Sequence, residues 1–388
     1  MLIRISEYNV ILLGMFGIVV LGLIGFPDAY AASMTFTVDT TISTDQTILS
    51  GETWTVNPGV TLSIDPGVTV TINDGGIIND GGIINNSGTI SVSNSNMFGT
   101  GIYVVSGGTL TNLSTGIITM SNSNGDGITN YGIFSNLGSI IISNTGGFGV
   151  ANLNNFTSSG TITILTSGGL GIYNGDLGIF NNSGLANISN SGAPTDAGIH
   201  NKNIINNNFG GKFTVSNING YGISNPQGSK YIINNYGTII VNSTAFDSIV
   251  TYGTINNYGA ITIISSRIYH NTGDINNSGT ITVSPPGVLV NNGQIYNLCG
   301  GSYLGPPLNQ AIIDNCLPCT PPLGNWSITS SCTMNVSATA NGNIVIQNGV
   351  VLTIPNGVTL SVPSGFNITI LSGGGFLIEF GGAVIVVS

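Results

Sequence analysis

The phrase Ile-Asn-Asn-x-Gly, followed by a short apolar stretch, recurs along the chain. It stands as "IINNSGTISV" at 83–92, "YIINNYGTII" at 231–240, "TINNYGAITI" at 254–263 and "DINNSGTITV" at 274–283. Self-similarity of this length marks a repeat architecture, in which each copy is one structural unit stacked on the next. Marking the second Asn of every copy gives Asn86, Asn112, Asn136, Asn155, Asn182, Asn207, Asn235, Asn257, Asn277 and Asn297, spaced 19 to 28 residues apart. The preceding position drifts through Thr111, Ser135 and Tyr296, whereas the marker stays Asn, so the ten markers are expected to stack as a structural, hydrogen-bonded Asn ladder while the tolerant preceding column faces water.

Behind each marker a Gly-containing turn leads into a strand such as "TISV", "TITI", "KFTV" or "TITV". Apolar residues alternate with Thr, Ser, Asn or Lys, which buries one face: Ile90/Val92, Ile117/Met120, Ile162/Ile164, Phe213/Val215 and Ile281/Val283 are expected inward. The residue before the Asn pair is apolar throughout, including Ile84, Phe134, Leu153 and Phe180. A further short strand lies upstream, as in "GITN" (127–130), "GIYN" (171–174) and "GIHN" (198–201). Three short strands per repeat predict an all-β right-handed parallel β-helix of about ten coils, roughly 50 Å long at about 4.8 Å per coil. The period of two, with so much Gly, Asn and Thr, excludes a helical repeat.

The two ends read differently. "PGVTLSIDPGVTVTINDGGII" (58–78) is echoed by "NGVTLSVPSGFNITILSGGGFL" (356–377), a second repeat type with tighter Pro/Gly turns. The expected organisation is a signal peptide over 1–31, a parallel β-helix over 32–298, a Cys/Pro-rich connecting segment over 299–337 and a C-terminal β-solenoid module over 338–388. Arg4, the apolar run 10–26 and the small-x-small site Ala29-Tyr30-Ala31 make up the signal. An uncleaved anchor is the competing reading of that run, and it would be the chain's one membrane attachment.

Loss of 1–31 takes away Arg4, Glu7 and Asp28, leaving 13 acidic and 4 basic side chains with no basic patch. This charge balance argues against nucleic acid as a partner and disfavours polyanionic substrates. Export permits disulfides among Cys299, Cys316, Cys319 and Cys332, with Cys299–Cys316 and Cys319–Cys332 the preferred pairing. One Cys-x-x-Cys with no nearby His argues against zinc. Ten Asn-x-Ser/Thr sequons, at Asn85, Asn112, Asn155, Asn181, Asn187, Asn242, Asn276, Asn325, Asn335 and Asn367, allow glycosylation.

On these repeats the chain resembles the broad class of secreted right-handed β-helix proteins, which includes surface adhesins and polysaccharide-acting enzymes. The "AYA" signal end and "WSITSSCTMNVSATANGNIVIQNGVVLTIPNGVTLSV" (326–362) are similar to repeat-rich exported proteins of ammonia-oxidising archaea. The resemblance implies fold and export far more than activity.

Chemistry is sparse. Asp126, Asp176, Asp196, Asp247 and Asp274 fall in different repeats, without the paired carboxylates of a glycosidase. The weak catalytic candidates are Asp247, Arg267 and His270, weighed against an exposed salt bridge beside a ladder position where His replaces Asn. His200 reads as solvent-facing. Asp74 and Asp80 read as turn residues, not a calcium loop, and the Thr-x-Thr at Thr161/Thr163 and Thr280/Thr282 as ordinary strand composition, not an ice-binding array. No cofactor or metal is expected.

The function expected is an exported, non-catalytic structural or adhesive rod, extracellular or at the cell surface, associating with itself or with surface components. A carbohydrate-active enzyme is the alternative. A glycan-binding module using Tyr173, Tyr236, Tyr258 and Tyr269 is the third reading, and it asks whether these tyrosines share one face.

Overall fold

The computed structural model describes residues 30–31, 33–48, 50–95, 100–191, 196–226, 231–264, 268–270, 273–297, 301–307, 312–314, 319–329 and 331–387. The chain winds as a right-handed parallel β-helix of three sheets. Among the described residues, sheets one and three have 13 strands each and sheet two has 12. Successive coils pass through the first, second and third sheet in turn, the last described one contributing Ser302–Leu304 to the first and Ile313–Asp314 to the third, and all described pairings are parallel. At about 4.8 Å per strand the rod is roughly 60 Å long. It is longer than the ten-coil expectation because the Pro/Gly-turn stretch 58–78 stacks in the same three sheets. Strand Thr61–Ile64 pairs with Ile83–Asn86, and Thr69–Asn73 pairs with Thr89–Ser93.

The core is a set of columns parallel to the axis. The first sheet contributes Ile90/Val92, Ile118/Met120, Ile140/Ile142 and their successors, all essentially inaccessible. Here the register corrects one expected pair. Ile118 stands opposite Ile90 and points inward, whereas Ile117 is exposed. The strand keeps strict alternation with its neighbours, so no one-place shift occurs.

A second correction has a clear cause. Phe156, not Leu153, is the buried third-sheet residue of its coil, and it lies between Phe134 (centroids 4.7 Å) and Phe180 (4.9 Å) with near-parallel rings. This stack sets the register, so Asn155 pairs with Ile133 and Ile179 at an outward position, and Ser158 occupies the column of the markers. Burying three stacked rings outweighs the position of the Asn pair.

Among the described residues the turn from the first sheet to the second opens on a left-handed residue in seven coils: Asp74, Asn94, Asn122, Asn144, Thr166, Asn190 and Asn217, with φ of 51–63°. Asn and Asp tolerate this conformation better than other side chains, which accounts for the enrichment. The glycine of the repeated phrase has a different role. Gly237 has no left-handed φ, but a Cβ there would overlap the carbonyl oxygen of Gly211 in the coil below. Coils can stack at strand spacing only if that corner is bare.

A second set of coils runs from Trp326–Ile328 to Ala383–Val387 as three three-stranded sheets with their own core, among it Ile328, Ile344, Leu352 and Leu360. Its first strand lies within the stretch 299–337 read as connecting segment. Strands Ser302–Leu304 and Ile313–Asp314 of that same stretch continue the sheets of the main rod. Cys319 and Cys332 form a disulfide, with Cα atoms 5.6 Å apart, at the start of the C-terminal core. Cys299 and Cys316 lie outside the described residues, as does the apolar run 10–26.

Candidate functional site

Eight of the ten repeated Asn residues are buried, and with the half-buried Asn297 they line a ladder along the third sheet. Asn86 Nδ2 donates to Asn112 Oδ1 (2.8 Å), Asn112 to Asn136 (2.8 Å), Asn182 to Asn207 (2.9 Å) and Asn207 to Asn235 (2.7 Å). Asn235 donates to Asn257 (2.7 Å), Asn257 to Asn277 (2.7 Å) and Asn277 to Asn297 (2.9 Å). The second amide hydrogen goes to a backbone carbonyl of the next coil, as from Asn235 to Ala260 O (3.1 Å). From Asn207 to Asn277 each amide thus uses both donors and accepts from the coil before it, a pattern that carboxylates and hydroxyls cannot reproduce.

Nine of the ten marker residues occupy this column. Asn155 does not, and Ser158 takes its place, accepting from Asn136 at 3.1 Å. The ladder is faulted there: the buried Asn182 Oδ1 has no hydrogen-bond partner. Asn86 Oδ1 is likewise unpaired, because the coil below carries Ile64 at that position.

A second inner ladder lines the second sheet, through Asn130, Asn152, Asn174, Asn201 and Asn225, with distances of 2.8–2.9 Å, and it ends on Thr251 Oγ1 (3.1 Å). Its signal was in the sequence as the terminal Asn of "GITN", "GIYN", "GIHN" and "GISN". A third ladder is on the outer face of the third sheet. Asn206 donates to Asn181 (2.8 Å), Asn234 to Asn206 (2.9 Å), Asn256 to Asn234 (2.8 Å) and Asn276 to Asn256 (2.8 Å). The first Asn of each pair, read as a tolerant water-facing position, is therefore also structured over five coils.

The register places His270 between Thr251 and Asn291, in the column of the second inner ladder. Asp247 is half-buried at the corner preceding the buried Ser248. Arg267 lies outside the described residues. Asp74 and Asp80 sit beyond opposite ends of strand Gly76–Asn79. Thr161/Thr163 stand beside Leu185/Asn187 in the register, so the threonine rows do not continue into the next coil.

His200 is not simply solvent-facing. It is half-buried and stacks on Tyr173 (5.9 Å, 17°), whose other neighbours are Phe148 (5.2 Å) and Lys202 Nζ (5.8 Å from the ring centroid). Burial pushes the His200 pKa down, Lys202 adds to that effect, and Asp196 opposes it. The Asp126 carboxyl is pushed up by burial, while hydrogen bonds from Phe148 N (2.8 Å) and Thr129 Oγ1 (2.9 Å) pull it back.

The four tyrosine positions do not share one register column. Tyr173 and Tyr269 share a register column of the second sheet, whereas Tyr236 and Tyr258 stack on each other (4.7 Å, 6°) at the corner leaving the third. A shallow uncharged groove of about 420 Å³ crosses three stacked turns, lined among others by Asn122, Asn144 and Thr166. Among the described residues no three His, Cys, Asp or Glu side chains group as a metal site would require, and no helix is long and apolar enough to cross a membrane. Compared with protein-family models and with curated proteins, the chain matches none.

Proposed function

We propose that this protein is an exported, non-catalytic rod of the cell surface, structural or adhesive in role, which associates with copies of itself or with other surface components. The observation that carries this reading is the amide relay of the third sheet, unbroken from Asn182 to Asn297. It commits a hydrogen-bonded side chain in coil after coil to holding the axis straight, and a stiff rod is what a mechanical or display role requires. The sequence of the 1–31 segment and the Cys319–Cys332 disulfide support an oxidising, extracytoplasmic setting. The sequons at Asn325, Asn335 and Asn367 are exposed on the C-terminal coils and would accept glycans there. By contrast, Asn112 is sealed in the ladder.

Antibody labelling of intact cells tests the reading. Signal on unpermeabilised cells is the expected result, and signal only after lysis overturns it. A glycan panel incubated with the purified chain addresses the enzyme alternative: a cleavage product lost in Arg267→Ala would replace this reading. Glycan binding without turnover is the second reading. It is favoured by the exposed Tyr236–Tyr258 stack, and retention on a glycan column that is lost in Tyr258→Ala would establish it.

A further inference from the structure

We infer that two copies of this chain pair face to face through the outer surface of the third sheet. This inference rests on the self-association in the reading above and names the surface responsible.

The eight third-sheet strands from Ile83–Asn86 to Thr254–Asn257 contain no charged residue, in a chain of net charge −10. Their outward side chains are of two kinds. One column is largely apolar, with Ile83, Ile133 and Ile179 between 37 and 49 % exposed. The other is the amide ladder Asn181–Asn206–Asn234–Asn256, whose side chains are already ordered by one another. The adjoining corner adds the exposed Leu137, Tyr236 and Tyr258. Charges appear at the opposite corner, as Asp80, Asp176 and Lys202. An apolar and amide centre with a charged rim is the composition of a protein interface.

Two physical considerations select a second copy as the occupant. The first is area. Eight strands at about 4.8 Å, each about 20 Å wide with its corners, present roughly 750 Å². A standard interface takes about 800 Å² from each partner, so the face is of the size a stable dimer uses. The second is charge. Two negatively charged rods repel unless they meet where neither carries charge, and this face meets that condition along eight coils. The other sheets fit less well. Lys212 interrupts the first, and the second presents His200 with Asp126 and Asp196 at its turns. Flat sheets pack about 10 Å apart, with their side chains interdigitating, and the alternating Ile and Asn columns are suited to that arrangement.

Sedimentation velocity of the full chain tests the inference, with matched variants on two faces. The wild type is expected to sediment as a dimer at micromolar concentration. The double substitution Ile133→Lys with Ile179→Lys should weaken dimerisation at least tenfold without changing the melting curve. The control Ile117→Lys with Ile141→Lys makes the same chemical change on the first sheet, where these residues are 38–39 % exposed, and should leave the dimer intact. Should the lysine pair on the third sheet prevent folding, Ser135→Glu with Thr157→Glu places charge in the outer polar column and carries the same expectation. A dimer that survives both third-sheet pairs, or one lost equally in the control, overturns this face while leaving self-association standing. A wild type that stays monomeric overturns the face and removes self-association from the proposed function. A monomeric rod whose third-sheet face is instead occupied by polysaccharide or another protein also overturns the inference.

Discussion

Asn234 and Asn235 are neighbours in strand Ile232–Asn235, yet their amides donate in opposite directions along the rod. Asn234 donates back to Asn206 (2.9 Å) and Asn235 donates forward to Asn257 (2.7 Å). The outer amide is half-buried and the inner one is inaccessible, so similar hydrogen bonds have different worth.

That difference sets the first expectation. Asn235→Ala orphans a buried donor on Asn207 and a buried acceptor on Asn257, at about 1–3 kcal/mol each. Asn234→Ala removes a water-accessible rung and should cost only about 0.5–1.5 kcal/mol. Chemical denaturation of the two variants measures the gap, and equal midpoints would refute the ladder as a source of stability.

The fault at Ser158 is open to repair. Ser158→Asn would supply the donor that Asn182 Oδ1 lacks and should stabilise the rod by about 1 kcal/mol. The neighbouring rungs already hold Asn in the same column, so the space has precedent at Asn136 and Asn182. A lowered melting temperature would show that the ring stack at Phe156 and the longer side chain do not fit together.

His200 gives a pH dependence of defined sign. Its folded pKa lies below the ordinary value of 6.5, chiefly through burial and secondarily through Lys202. Between those two values the unfolded chain holds more protons than the folded one, so stability rises with pH. The contribution is fully present above pH 6.5 and is lost as the pH falls toward the folded value. Melts at pH 7.5 and pH 5.5 should show this loss in the wild type and a smaller one in His200→Gln. An identical pH slope in both proteins would exclude His200 as its source.

The disulfide should act locally. Cys319 and Cys332 are 13 residues apart, and opening a loop of that size costs about 3 kcal/mol in the chain-entropy account. Their sulfurs belong to the C-terminal core, which is separate from the core of the main rod. In Cys319→Ser with Cys332→Ser, hydrogen exchange should accelerate at Leu352 and Leu360 and stay unchanged at Ile162 and Ile239. Uniform acceleration would mean that the two sets of coils unfold as one unit.

The three-strand coil was legible because strand periodicity and turn glycines report backbone geometry directly. Asn155 misled because an Asn pair is visible in a string of letters, whereas the ring stack that overrides it is not. The spacing of Phe134, Phe156 and Phe180 held that information. The outer ladder was missed for another reason. Asn181, Asn206, Asn234, Asn256 and Asn276 look like one variable column until they are seen to touch. The Asp247, Arg267 and His270 grouping came from aligning repeats, which gives columns but not side-chain contacts. The register confirms the column for His270.

The one-way relay of the inner amides has an implication for lineage. Between Asn182 and Asn297 a coil receives one hydrogen bond from the coil below and passes one on, so a duplicated coil inserted within that run satisfies the same terms as its parent. Rod length is therefore free to drift by whole units through unequal recombination, with no compensating change elsewhere. Related genes should differ in reach long before they differ in cross-section.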